Sequence, residues 1–136
     1  MITEEKLTEL AEEARKAADK AYAPYSNFRV GAALLCEDGS IVTGVNVENR
    51  SYGLTICAER NAITTAITQG KCCFLALALS TPDSSTPVGP CGACRQVLSE
   101  FMSPNSPVRF GGNSTETIDT TIGELLPLDS LHDLKK

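Results

Sequence analysis

Residues 3–22 place Leu7, Leu10, Ala14, Ala17, Ala18 and Ala21 on one side at helical spacing, with acids and bases between them. The pattern predicts an amphipathic helix. Tyr22–Asn27 ends it, because Pro24 cannot continue a helical hydrogen-bond ladder. Phe28–Cys36 is an apolar run that stops at the turn sequence Glu37-Asp38-Gly39-Ser40, and Ile41–Val47 returns from it. The two segments are expected to pair as a hairpin. Glu48–Ile56 reads as a polar loop. A second helix is predicted from Cys57 to Gln69, with Gly70 as its stop. Cys73–Ser80 is apolar on both faces, as suits a strand in the middle of a sheet. Thr81–Pro90, rich in Thr, Pro, Ser and Gly, is a loop. A third helix follows from Cys91 to about Met102, then short strands at Val108–Phe110 and Thr115–Thr120. A last short helix, Ile122–Leu126, precedes the tail Leu128–Lys136.

This order of elements predicts an α/β fold: a three-layer α-β-α sandwich around a mixed sheet of about five strands. The hairpin gives one antiparallel pair, and the strand–helix–strand crossovers after Val47 imply parallel pairing there. The chain has 136 residues, shows no repeat and no dividing linker, and is expected to form a single catalytic domain over 1–136. The net charge of −5 argues against a nucleic-acid partner, since such surfaces rest on clustered Lys and Arg. The N-terminal segment is charged and lacks the apolar core of a signal peptide, and no stretch approaches the roughly 20 apolar residues of a membrane helix. No membrane partner is therefore expected. Cytoplasmic residence is expected, with the six cysteines reduced.

Two segments carry the chemistry: Cys57-Ala58-Glu59 and Pro90-Cys91-Gly92-Ala93-Cys94. The spacing of Cys91 and Cys94 lets both thiolates reach one metal from the first turn of a helix, and Cys57 offers a third soft ligand. Three protein ligands leave a tetrahedral zinc ion one open position, where catalytic zinc holds water. Cys-x-Glu followed by Pro-Cys-x-x-Cys is the signature of zinc-dependent nucleobase deaminases. In that reading Glu59 is the proton carrier and not a ligand. Cys57 and Cys91 at the starts of two helices would feel positive dipole ends, which offset the excess negative charge of three thiolates. Arg60, three residues after Cys57, is expected against a ligand sulfur. The competing reading is a structural zinc site, with a fourth ligand drawn from Cys36, Cys72, Cys73 or His132. A redox Cys-x-x-Cys pair is a further alternative, but it leaves Cys57 and Glu59 without a role. Otherwise Cys36, Cys72 and Cys73 are core or near-surface thiols, and His132 is a solvated residue of the polar tail.

The chain resembles the short, homotetrameric cytidine deaminases. The resemblance rests on Tyr22–Leu34, Gly44–Asn49, Cys57–Arg60, Pro90–Gln96 and Glu124–Pro127, in the right order over residues 20–127. It implies hydrolytic deamination of cytidine and deoxycytidine to uridine and deoxyuridine in pyrimidine salvage. By the same resemblance Zn²⁺ is held by Cys57, Cys91 and Cys94, with Glu59 as proton shuttle for the zinc-bound water. Asn46 and Glu48 would bond the ribose hydroxyls, and Phe28 would pack on the nucleoside. A homotetramer is implied whose sites are completed by neighbouring subunits, with Tyr52 as a contact residue. Where family members often carry an aromatic after Glu-Leu-Leu-Pro, this chain has Leu128-Asp129-Ser130-Leu131. Arg50 stands where small residues are common. The alternative substrate is a related aminopyrimidine nucleoside such as blasticidin S.

Overall fold

The computed structural model describes residues 2–131 and Leu134; His132 lies outside the described residues. The elements are α1 (Glu4–Ala18), β1 (Gly31–Cys36), β2 (Ile41–Val45), α2 (Ala58–Thr68), β3 (Phe74–Ser80), α3 (Gly92–Phe101), β4 (Pro107–Gly111), β5 (Thr117–Thr121) and α4 (Ile122–Leu125). One five-stranded sheet runs in the order β2-β1-β3-β4-β5. β3 takes the central position, as its two-faced apolar pattern requires. α1 packs on one face through Leu10 and Ala14, against Ala33, Leu35, Ala76 and Ala78. α2 and α3 cover the other face, where Ala62, Ile63 and Leu98 meet Leu34, Leu77 and Phe110. The result is the expected α-β-α sandwich around a mixed sheet.

The pairing differs from expectation at one place. β2 and β3, joined through α2, run in the same direction but do not pair. β1 lies between them, antiparallel to both, and only β3 and β4 form a parallel pair. All six residues of β1 are buried, so the strand takes an interior position and leaves the half-exposed β2 at the edge. α1 also ends earlier than the periodicity suggests. Beyond Ala18 the chain leaves the helix so that Tyr22 can bond the strand end after β2: its N–H donates to the Asn46 carbonyl (3.0 Å), and its carbonyl accepts from the Glu48 N–H (2.9 Å).

α2 sits on β2 through Gly44. A Cβ there would lie 2.3 Å from the Ala62 nitrogen and 2.6 Å from the Ala58 carbonyl oxygen, both backbone atoms that cannot swing aside. Asn61 ties the same helix to the Val45 carbonyl at 2.8 Å. The close seating sets where the first turn of α2 lies. Gly44→Ala is therefore expected to lower stability by about 1–3 kcal/mol, as overpacking does, and to weaken zinc retention; chemical denaturation and metal analysis check both. α2 is stopped just past its Gln69 cap by Gly70, whose φ of +84° is the left-handed conformation of a helix stop.

Candidate metal centre and active site

α2 and α3 meet at their N-terminal ends. Cys57 is the residue that opens α2 and Cys91 the one that opens α3, both in extended conformation, and neither side chain caps its helix. Their sulfurs are left for another partner, while the positive ends of two helices lie beside them. Cys94 follows in the first turn of α3, fully buried. The three sulfurs lie within 4.8 Å of one another, and they form the one cluster of three or more metal-ligating side chains among the described residues.

The donor set fits zinc. A tetrahedral ion with Zn–S bonds of about 2.3 Å has S···S edges of roughly 3.8 Å. The Cys57 and Cys91 sulfurs are 3.8 Å apart. Three thiols are also the soft donors this ion prefers. Arg60 donates from Nη2 to the Cys57 sulfur at 3.2 Å, so a cation lies against one of the three clustered sulfurs. The hydrogen bond from Cys94 and the Arg60 contact together hold the Cys57 thiol down at about 5, against the opposing effect of burial. Cys94 is pushed up, since it donates to Cys57 and is buried. Without a cation these thiols compete for negative charge, and a dication removes the conflict. The Arg60 Nε is buried with no hydrogen-bond partner among the described residues.

Glu59, the second residue of α2, is 4% exposed. Burial pushes its carboxyl up to about 7, and the charge on Cys57 adds to the effect. A buried acid poised near neutrality can both take and give a proton. Cys36, Cys72 and Cys73 line a separate cavity of about 300 Å³ with Glu37, Asp38, Gly70 and Lys71, and none of them joins the three-sulfur cluster.

Asn46 is buried and turned toward the segment before β1. Its Oδ1 accepts from the Val30 N–H (2.9 Å) and its Nδ2 donates to the Phe28 carbonyl (2.8 Å). Glu48 faces the same segment. Its Oε1 accepts from the N–H groups of Tyr25 (3.0 Å) and Ser26 (3.2 Å), and its Oε2 accepts from the Ser26 hydroxyl. Those bonds, the Ser26 hydroxyl foremost, hold its carboxyl below the usual range. The structure thus brings Phe28, Asn46 and Glu48 into one hydrogen-bonded unit. Tyr52 is 72% exposed and tilts against Tyr25, ring centres 6.1 Å apart. Arg50 is exposed, and no contact among the described residues explains it.

Three further contributors lie in or beside the matching segments but are given no role by the sequence pattern. Ser26 bridges Glu48 and Phe28. Arg95 donates to the carbonyls of Pro90 (2.8 Å) and Leu125 (3.1 Å), which fixes the turn before Cys91. Arg29 grips Asp83 from across the loop that leads to that turn, at 2.8 Å from Nη2. Arg95 adjoins the Pro-Cys-x-x-Cys motif, a usable signal; the Arg29–Asp83 pair spans 54 residues and has none.

The profile of the cytidine and deoxycytidylate deaminase zinc-binding region matches residues 4–108. The chain belongs to this family. It is 48% identical over 118 residues to the cytidine deaminase of Sporosarcina psychrophila, covering 87% of this chain and 86% of the relative. The crystal structure of cytidine deaminase from Burkholderia pseudomallei superposes with a TM-score of 0.85 at 44% identity, covering 93% of this chain and 98% of that one. The blasticidin-S deaminase of Bacillus cereus is more distant, 34% identical over 110 residues, 76% of this chain and 77% of the relative. Membership makes the chain a zinc-dependent deaminase, and Cys57, Cys91 and Cys94 supply donors fit for that ion.

Proposed function

We propose that the chain hydrolytically deaminates free cytidine and deoxycytidine to uridine and deoxyuridine, as one catalytic domain over residues 1–136 acting in pyrimidine salvage. The observation that carries this reading is the buried Glu59 beside three convergent thiols at two helix N-termini. Cys57, Cys91 and Cys94 would hold zinc. A zinc ion there supplies Lewis acidity, which makes water a competent nucleophile near neutral pH. Glu59 takes a proton from the attacking water through its carboxylate. It gives that proton to the ring nitrogen, then carries the second proton from the added hydroxyl to the departing amine, so the C–N bond breaks and a ring carbonyl and ammonia result. Arg60 shares the charge of the Cys57 sulfur. Phe28 packs against the nucleoside, while Asn46 and Glu48 receive the sugar hydroxyls. Each retains capacity for this: Asn46 has a second N–H, and Oε2 of Glu48 has a second lone pair.

Tyr22, Tyr25, Val47, Tyr52, Leu54 and Ile56 are exposed apolar residues. Bridges Tyr22–Val47 and Val47–Ile56 join three of them in one patch, and the Tyr25–Tyr52 ring contact pairs two more. Such a patch supports assembly into a homotetramer, with Tyr52 reaching a neighbouring site. Leu128, 99% exposed in a left-handed conformation (φ 56°), would stand in for the aromatic that other members carry. Among the described residues no helix is long and apolar enough to cross a membrane. A reducing, cytoplasmic setting, in which thiols persist, suits a centre built from three cysteine sulfurs.

The test follows the loss of cytidine absorbance with purified protein, with and without a zinc chelator, beside deoxycytidine and blasticidin S. Turnover of both nucleosides, abolished by the chelator, is expected. Turnover of blasticidin S alone would transfer the reading to that substrate.

A further inference from the structure

Ser26 occupies a place that neither the metal site nor the ligand-facing residues explain. Its hydroxyl hydrogen goes to Glu48 Oε2, and its oxygen accepts the Phe28 N–H at 3.0 Å. The polarity is fixed, because the Phe28 N–H can only donate and the Glu48 carboxylate only accept. On its other side the Phe28 peptide is held by Asn46, which takes the Phe28 carbonyl and the Val30 N–H. Asn27, between Ser26 and Phe28, sits at φ 57°, a left-handed conformation that asparagine adopts more readily than most non-glycine residues. The Asn27 N–H is tied to the Ala23 carbonyl at 3.0 Å. Residues 25–29 are thus strapped to the chain just after β2 by the side chains of Asn46 and Glu48, while sheet-like pairing resumes only at Val30, whose carbonyl accepts from the Asn46 N–H (3.3 Å); Ser26 is the link between the two ligand-facing groups.

We propose that Ser26 is a positioning residue: its hydroxyl sets the Glu48 carboxylate and the Phe28 ring in register with each other, so that the sugar and the flat face of one nucleoside are met together. The proposal rests on the reading above, that Glu48 and Phe28 face the nucleoside. Ser26 acts through those two residues and touches none of the reacting atoms. Its loss therefore falls on substrate affinity and not on the chemical step, and it depends on Glu48 being present.

The experiment is a double-mutant cycle on cytidine turnover, with zinc content measured for each protein. Ser26→Ala is expected to raise KM about tenfold, the size of one well-placed hydrogen bond. It leaves kcat within about twofold and zinc unchanged, and Ser26→Thr, which keeps the hydroxyl, recovers most of the loss. In a Glu48→Gln background the further penalty of Ser26→Ala is expected to shrink to about two- or threefold. An unchanged KM in Ser26→Ala, equal penalties in both backgrounds, or kcat falling in step with thermal stability would each overturn the proposal. If the unsubstituted protein turned cytidine over and Glu48→Gln left KM unchanged, the sugar-contact reading would fall and the proposal with it. Absence of turnover in the unsubstituted protein would defeat the deaminase reading itself.

Discussion

Glu59→Gln is expected to lower kcat by about 10³–10⁴-fold while zinc stays bound at its normal stoichiometry. Gln fills the same buried space but neither accepts a proton from water nor delivers one to the ring. Because the residue is not among the three sulfur donors, metal analysis and turnover should separate. The same substitution has an opposite effect on the zinc-stripped protein. Burial raises the Glu59 carboxyl from 4.5 to about 7 in the fold. The folded state therefore binds the proton more tightly than the unfolded state does, and stability falls as pH rises from about 4.5 to about 7. Above that range the buried carboxylate is charged and the penalty is complete. Zinc-stripped Glu59→Gln should then melt several degrees higher than the stripped parent at pH 8, with the difference vanishing near pH 4.5. Scanning calorimetry at both pH values checks this. A variant that is inactive but has also lost its zinc would indicate that Glu59 is a ligand.

Cys94→Ser should carry the second large effect. Cys94 is fully buried, and its sulfur closes the triangle made with Cys57 and Cys91. A serine hydroxyl is a hard, weakly acidic donor that zinc does not favour over thiolate. Retained zinc is expected to drop below about a tenth of one ion per chain, turnover to disappear, and the melting temperature to fall, since metal binding adds directly to folding free energy. Cys72→Ser is the matched control. Cys72 is exposed beside the separate cavity near Lys71, so zinc and turnover should be preserved.

The parts of this site that the sequence displays are those whose chemistry is local. Cys57 and Glu59 are two residues apart and Cys91 and Cys94 three apart, so the helix that carries each pair also orients it. Helix starts at both cysteines were legible from the breaks before them. The order of strands was not, because an apolar run such as Gly31–Cys36 states that a strand is buried, not which neighbours bury it. The early end of α1 was hidden for a related reason. Its apolar spacing continues to Ala21, yet Tyr22 gains backbone partners on the segment after β2 that only the tertiary fold supplies. Ser26 is the extreme case. Its partner Glu48 is 22 residues away, and Tyr-Ser-Asn reads from sequence as an ordinary turn.

The measurement that bears most directly on the account is zinc-edge X-ray absorption on protein that turns over cytidine. Three sulfur scatterers at about 2.3 Å and one oxygen at roughly 2.0 Å are predicted. A fourth sulfur, or the outer-shell scattering of a histidine ring in the remaining position, would contradict it.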